Sequence, residues 1–314
     1  MLTRRHIRIK VLQNIYAFNK TDHGDLAKQE KFLVYSIEQT RDLHLLLLAL
    51  LAAIHKHAQT QIEKRKQLHL ASKEDLNPDR SFVDNPIFSK ISDNPFLADL
   101  VKKQKLDVWE HDNEYVSLLY KDLIASELYE DYLAKPAKTL EDHRQFAADM
   151  FKKIVAPNDK LYDYLEDKRL TWLDDFPLVN TGLVKMLRKI SPATEDSQIV
   201  PDLYKNDDDL DFGIKLFKKV VLKDEELTKD VIQKTPNWDK ERIADMDMIL
   251  IKMGLAEFLF FPSIPVKVTI NEYLEIAKEY STPKSSIFIN GILDKSIGEY
   301  TASKRLNKIG RGLR

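Results

Sequence analysis

The chain has 314 residues of which 43% are hydrophobic, enough to bury one large core or two modest ones, which excludes disorder throughout. Only 8 residues are Gly, Leu, Lys, Glu, Asp and Ala dominate, and β-branched residues do not alternate with polar ones, so sheet is excluded in favour of long helices and an all-α fold. The absence of cysteine excludes disulfides and thiolate metal sites, and the net charge of −1 excludes a uniformly basic nucleic-acid binder.

A first helix is predicted from Thr3 as N-cap to about Phe18, with Ile7, Val11, Ile15 and Phe18 forming one apolar stripe. Arg4, Arg5 and Arg8 fall in its first turns, where cations oppose the helix macrodipole, so an anionic partner is expected for them. The residues after Met1 lead into this amphipathic segment without an unbroken apolar run, and the apolar stretch from Leu45 to Ile54 is too short to span a bilayer. A cytoplasmic location is the expectation.

A second helix, about Lys31 to Lys66, carries the apolar run Leu43 to Ile54 and is expected to be buried on most sides. His55 and His57 follow at a spacing that puts them on different faces, which favours core or surface histidines over a metal pair. From about Leu68 to Asn94 the periodicity fades and Asn77-Pro78, Asn85-Pro86 and Asn94-Pro95 accumulate, read as a partly mobile surface excursion. Helical periodicity returns from Pro95 to Tyr132 and from Leu140 to Val155. The segment beginning Met150-Phe151-Lys152-Lys153 recurs as Leu216-Phe217-Lys218-Lys219, and the same offset of 66 pairs Leu161 with Leu227, Trp172 with Trp238 and Leu183 with Ile249. This reads as two copies of a helical hairpin unit, with Trp172 and Trp238 as packing anchors.

No Gly-rich phosphate loop, dinucleotide fingerprint, serine elbow or zinc-helix motif is present, so no catalytic residue, metal or cofactor is expected. Charge is segregated: cations gather near the start and at Lys304, Arg305, Lys308, Arg311 and Arg314, while Asp202, Asp207, Asp208, Asp209 and Asp211 lie inside. For the C-terminal cluster, solubility competes with nucleic-acid binding as the reason.

The last third carries the function. A helix opened by Asn237-Trp238-Asp239 runs to Glu257 and turns at Pro262 and Pro265. It is followed by Val266-Lys267-Val268-Thr269-Ile270-Asn271-Glu272 and Phe288-Ile289-Asn290-Gly291-Ile292-Leu293-Asp294. These ordered motifs closely resemble the NusB family. The N-terminal Arg4-Arg5-His6-x-Arg8, followed by Gln13-x-Ile15-Tyr16, is similar to that family's arginine-rich motif and the segment after it, with His6 and Asn14 as departures. The resemblance covers residues 1 to 20 and about 205 to 300 and is silent about the long middle.

It implies an all-helical bundle of two helical subdomains, enlarged by a mostly helical insertion. The expected division is 1–66 with the basic motif, 67–200 as the insertion, 201–300 as the C-terminal subdomain and 301–314 as a basic tail. It also implies a transcription antitermination factor that binds boxA-like single-stranded RNA together with NusE, a small-subunit ribosomal protein, in an RNA polymerase antitermination complex. Guanidinium groups of Arg4, Arg5 and Arg8 would take phosphates, Tyr16 and Phe288 would stack on bases, and Asn290 would meet a base edge. Core packing competes as the role of Phe288, and a backbone cap as that of Asn290. Asp247, on an apolar helix side with Ile243 and Ile251 four residues away, is expected to await a donor from the protein partner, and Glu257 to accept from backbone near Pro262. A non-catalytic helical interaction scaffold without RNA specificity is the alternative, and a methyltransferase fails for want of a cofactor-binding sheet.

Overall fold

The computed structural model describes residues 2–21, 25–69, 72–200, 202–204, 208–235 and 243–313, among which every regular element is helical and no strand occurs. Trp238, Asp207 and Arg314 lie outside the described residues. In chain order the helices begin with α1 (Arg4–Asn19), α2 (Leu26–Lys66), α3 (Lys73–Leu76), α4 (Pro86–Ser92), α5 (Pro95–Lys103), α6 (Asn113–Ile124), α7 (Glu127–Ala134) and α8 (Leu140–Met150). They continue with α9 (Asp159–Lys168), α10 (Phe176–Leu187), α11 (Asp196–Ile199), α12 (Asp208–Leu222), α13 (Asp224–Lys234), α14 (Asp245–Phe260), α15 (Val266–Tyr280) and α16 (Ser285–Ala302). None of the described helices is long and apolar enough to cross a membrane.

The chain forms two compact units, one of residues 38–203 and one of residues 2–37 with 204–314. The division falls inside α2 and not near residue 66, because the apolar run of that helix is committed to the first unit. Leu43, Leu45, Leu46, Leu47, Leu48, Leu50, Leu51 and Ile54 are all buried there in one cluster with α4 to α10. Trp172 and Trp109 anchor this core, each indole N–H donating to a backbone carbonyl of α2, that of Gln39 at 2.8 Å and that of Leu46 at 2.9 Å. His55 is a core residue held between Val83 O at 2.9 Å and Ser92 Oγ at 3.0 Å.

The expected surface excursion is overturned at two of its three Asn-Pro pairs. Asn85 and Asn94 are buried N-caps whose side-chain oxygens accept from Ile87 N and Leu97 N, each at 2.9 Å, and Pro86 and Pro95 occupy the first helical positions of α4 and α5. A missing N–H costs nothing at that position, so Asn-Pro starts a helix here as readily as it ends one. Phe82, Val83, Ile87, Phe88 and Ile91 from this stretch belong to the core.

In the second unit, α14 is the hub and packs against α1, α12, α13, α15 and α16. Its residues from Ile249 to Phe258 are buried on every side, including the charged Lys252 and Glu257. Ile7, Val11 and Ile15 of α1 are buried as their spacing predicts, and α1 lies against α12 so closely that a Cβ on Gly213 would sit 2.7 Å from Ile7 Cγ2. The internal offset of 66 is kept by buried positions and not by helix bounds: Phe151, Leu161 and Leu183 correspond to Phe217, Leu227 and Ile249, all buried, whereas α9 begins at Asp159 and α13 at Asp224, 65 residues on.

Candidate nucleic-acid interface

The basic motif sits on the first turns of α1. Thr3 is the N-cap as expected, but its backbone N–H donates to His6 Nδ1 at 3.3 Å and its hydroxyl meets the same nitrogen at 2.8 Å. The departure at His6 therefore helps to close the helix end. Asn14, the other departure, is buried and donates from Nδ2 to Gln29 O at 3.1 Å, tying α1 to the start of α2.

The anions that offset the arginines come from the same chain. Arg4 Nε donates to Asp209 Oδ1 of α12 at 2.9 Å, and Arg5 grips Glu272 of α15 with two bonds, at 2.9 and 3.0 Å. Side chains of Arg4 and Arg5 remain 39% and 38% exposed, which leaves guanidinium edges open to a further anion. The Glu272 hydrogen bonds push Arg5 above its ordinary pKa. Burial works against the charge of Glu272, but Arg5 outweighs it and holds that carboxyl below the usual range.

Arg8 is a different case. Its side chain is 2% exposed and lies against Glu257, which is fully buried, with Nε to Oε1 at 2.5 Å and Nη2 to Oε2 at 2.9 Å. Thr269 Oγ1 and Tyr273 OH also donate to Glu257, at 3.0 and 2.8 Å, so the carboxylate accepts four hydrogen bonds from α1 and α15. The Arg8 guanidinium lies over the Phe212 ring, 5.0 Å from its centroid. Burial opposes its charge, yet Glu257 raises its pKa above the ordinary arginine value. Tyr273, buried beside that carboxylate, is pushed well above a normal phenol and keeps its donating proton. Arg8 therefore leaves the set of RNA contacts, since no phosphate reaches a guanidinium already enclosed and paired. Glu257 is structural as expected, but its side chain accepts from side chains and not from the turn backbone.

Tyr16 is half-buried on α1, with Lys20 Nζ 5.4 Å from its ring centre and that lysine paired to Asp245 at 2.7 Å. Phe288 and Asn290 are half-buried on α16, and Asn290 Nδ2 donates to Asp294 Oδ2 at 3.1 Å along the same helix. The idea of Asp247 as an unpaired carboxylate is overturned. Ser281 Oγ donates to its Oδ1 at 2.5 Å and Ser285 Oγ to its Oδ2 at 2.8 Å, so the side chain ties the turn between α15 and α16 to the first turn of α14. Those donors lie 34 and 38 residues away, beyond any search at helical spacing.

The basic tail is partly structural too. Arg305 pairs with Asp230 at 3.0 Å and Glu226 at 2.9 Å, and Lys308 Nζ donates to the carbonyls of Glu257 and Phe261, at 3.1 and 3.0 Å, satisfying the end of α14. Burial pushes Lys308 down to about 8. Among the described residues no group of acids and histidines could hold a metal ion.

The carboxylates that answer the arginines all come from the last third of the chain, the part that carries the ordered motifs. The NusB family model matches residues 182–297. That stretch holds Asp209, Glu257 and Glu272, and also Asp247, Phe288 and Asn290, whereas α1 lies outside it. Curated relatives agree. The transcription antitermination protein NusB of Chloroherpeton thalassium is 41% identical over 103 residues, 33% of this chain and 49% of that protein. Its namesake from Salinibacter ruber is 41% identical over 103 residues, 33% of this chain and 64% of that protein, and the one from Koribacter versatilis is 39% identical over 94 residues, 30% and 64%. The matches thus span from about half to just under two thirds of these relatives' lengths. No solved structure matches the chain.

Proposed function

We propose that the protein is a non-catalytic, cytoplasmic transcription antitermination factor that binds boxA-like single-stranded RNA together with NusE and acts within an RNA polymerase antitermination complex, during rRNA transcription. The observation that carries this reading is the NusB match over residues 182–297, with relatives named as antitermination proteins at about two identical residues in five. The half-exposed guanidinium groups of Arg4 and Arg5 support it, because each retains open N–H donors for phosphate after its carboxylate contact. Tyr16 and Phe288 would offer ring faces to unstacked bases and Asn290 an amide to a base edge. Arg8 enters indirectly, by fixing α1 on α14 and α15 so that the two exposed arginines hold one orientation.

Asp247 takes a positioning role in this proposal: it sets the start of α16, the helix that carries Phe288 and Asn290, and NusE contacts would depend on that placement. Titration of fluorescently labelled boxA-like RNA, with and without NusE, tests the reading. It predicts saturable binding that tightens when NusE is present. The scaffold alternative predicts NusE binding with no response to RNA.

A further inference from the structure

The first unit, which lies largely outside the NusB match, contains an open cleft of about 740 Å³. Its wall on α2 is lined by the small side chains of Ala49, Ala52 and Ala53, and its floor includes the buried Leu97, Val101 and Trp109. The volume is that of a small-ligand pocket. The walls are rigid: Trp109 is fixed through its bond to Leu46 O at 2.9 Å, and Asn94 caps α5 while its Nδ2 donates to Asp196 O at 3.0 Å.

The polar rim is asymmetric. The bond from Trp109 places Asp107 and Glu110 beside Leu46, whereas Lys56 and Lys64 stand farther along α2, the nearer of them about 15 Å away at 1.5 Å of rise per residue. Lys56 and Lys64 are exposed, line the cleft on one helix face and have no carboxylate partner among the described residues, unlike Lys66, which pairs with Glu63 at 2.9 Å. Lys64 lies near enough to His57 to add to the burial that lowers that imidazole. The α2 end of the slot, at Lys56 and Lys64, is thus cationic and unneutralised, whereas the rest of the rim sets Asp107 and Glu110 beside Lys102.

From this geometry we infer that the first unit binds a small amphiphilic anion, a medium-chain acyl group bearing a carboxylate or phosphate head, with the chain against the Ala49–Ala53 wall and the head between Lys56 and Lys64. The inference does not depend on the antitermination reading. Polar head and apolar chain match the two ends of the site separately, which makes the two contributions separable by experiment.

The test is calorimetric titration of the full chain with decanoate, decyl phosphate and the uncharged 1-decanol, all below their aggregation limits. One saturable site is expected for both anions, and the two anionic arms distinguish the head group preferred. The K56A/K64A double variant, which alters only exposed side chains, should weaken both anions by roughly tenfold and leave decanol unchanged. Ala53→Trp fills the slot and should abolish binding of all three, with circular dichroism confirming the fold. The inference is overturned if neither anion binds saturably, if K56A/K64A binds them as tightly as the parent, or if a folded Ala53→Trp protein still binds. It is equally overturned if only an acidic amphipathic peptide occupies the cleft.

Discussion

Replacing Arg8 with Met removes the guanidinium that lies over Phe212 and Tyr273 while keeping an apolar stem of similar length. Glu257, fully buried, then loses two of its four donors and the guanidinium that pairs with it, since Thr269 and Tyr273 supply neutral hydroxyls. Breaking a buried ion pair from one side costs about 3–5 kcal/mol, which is a large part of the roughly 5–15 kcal/mol that stabilises a domain. The second unit should therefore approach its unfolding limit. Urea denaturation, read by hydrogen-exchange mass spectrometry on residues 245–280, follows that unit specifically. Changing both partners, Arg8→Met with Glu257→Leu, should recover most of the loss because no uncompensated charge remains. A loss below about 1 kcal/mol in Arg8→Met, or a double variant no better than the single one, would refute the argument that this pair locks α1 to α14 and α15.

Replacing Arg4 and Arg5 with Ala should weaken boxA-like RNA and lower the slope of log affinity against log salt by about 0.7 per lost phosphate contact, whereas an unchanged slope in a folded protein removes them from the interface. Asp247→Asn should lower stability by about 1–2 kcal/mol, because a charged acceptor of two hydroxyls becomes a neutral one; a melting temperature that holds while NusE affinity falls would restore a direct partner contact. Lys308 has a folded pKa lowered to about 8 against an unfolded value near 10.4, so the unfolded chain binds more protons between them and stability should rise as pH climbs through that window. An NMR titration of its side chain with a midpoint near 10.4 would contradict this. Excising residues 38–203 with a Gly/Ser linker should leave a folded second unit, whereas excising 67–200 should yield an aggregating protein, because it strands the leucines of α2 without the core that buries them. Equal solubility of the two deletions would contradict the division inside α2.

Local patterns were the most legible part of the fold. The stripe Ile7, Val11 and Ile15, the N-cap at Thr3 and the leucine run of α2 follow from period and propensity alone, and the family motifs mark the stretch from α12 to α16. Asn85 and Asn94 misled because an Asn-Pro pair carries the same letters whether it terminates a helix or caps the next one; the apolar residues after each proline were the deciding signal. At the site, the residue types were legible but their partners were not. Cations in a first helical turn pointed to anions, yet Asp209, Glu257 and Glu272 lie more than 200 residues away and no helical spacing connects them to Arg4, Arg8 and Arg5. The same holds for Asp247, whose hydroxyl donors arrive from the turn between α15 and α16. A motif read as a ligand grip therefore divides into a buried lock, Arg8, and an exposed pair, Arg4 and Arg5.

The most direct measurement of the proposed activity is in vitro transcription of a template with a terminator downstream of a boxA-like element, using RNA polymerase, NusE and the full chain. The account predicts that adding the protein raises read-through, and that the gain disappears when the boxA-like element is scrambled. Read-through that stays at the level without the protein, while NusE and the RNA are both bound, would contradict it.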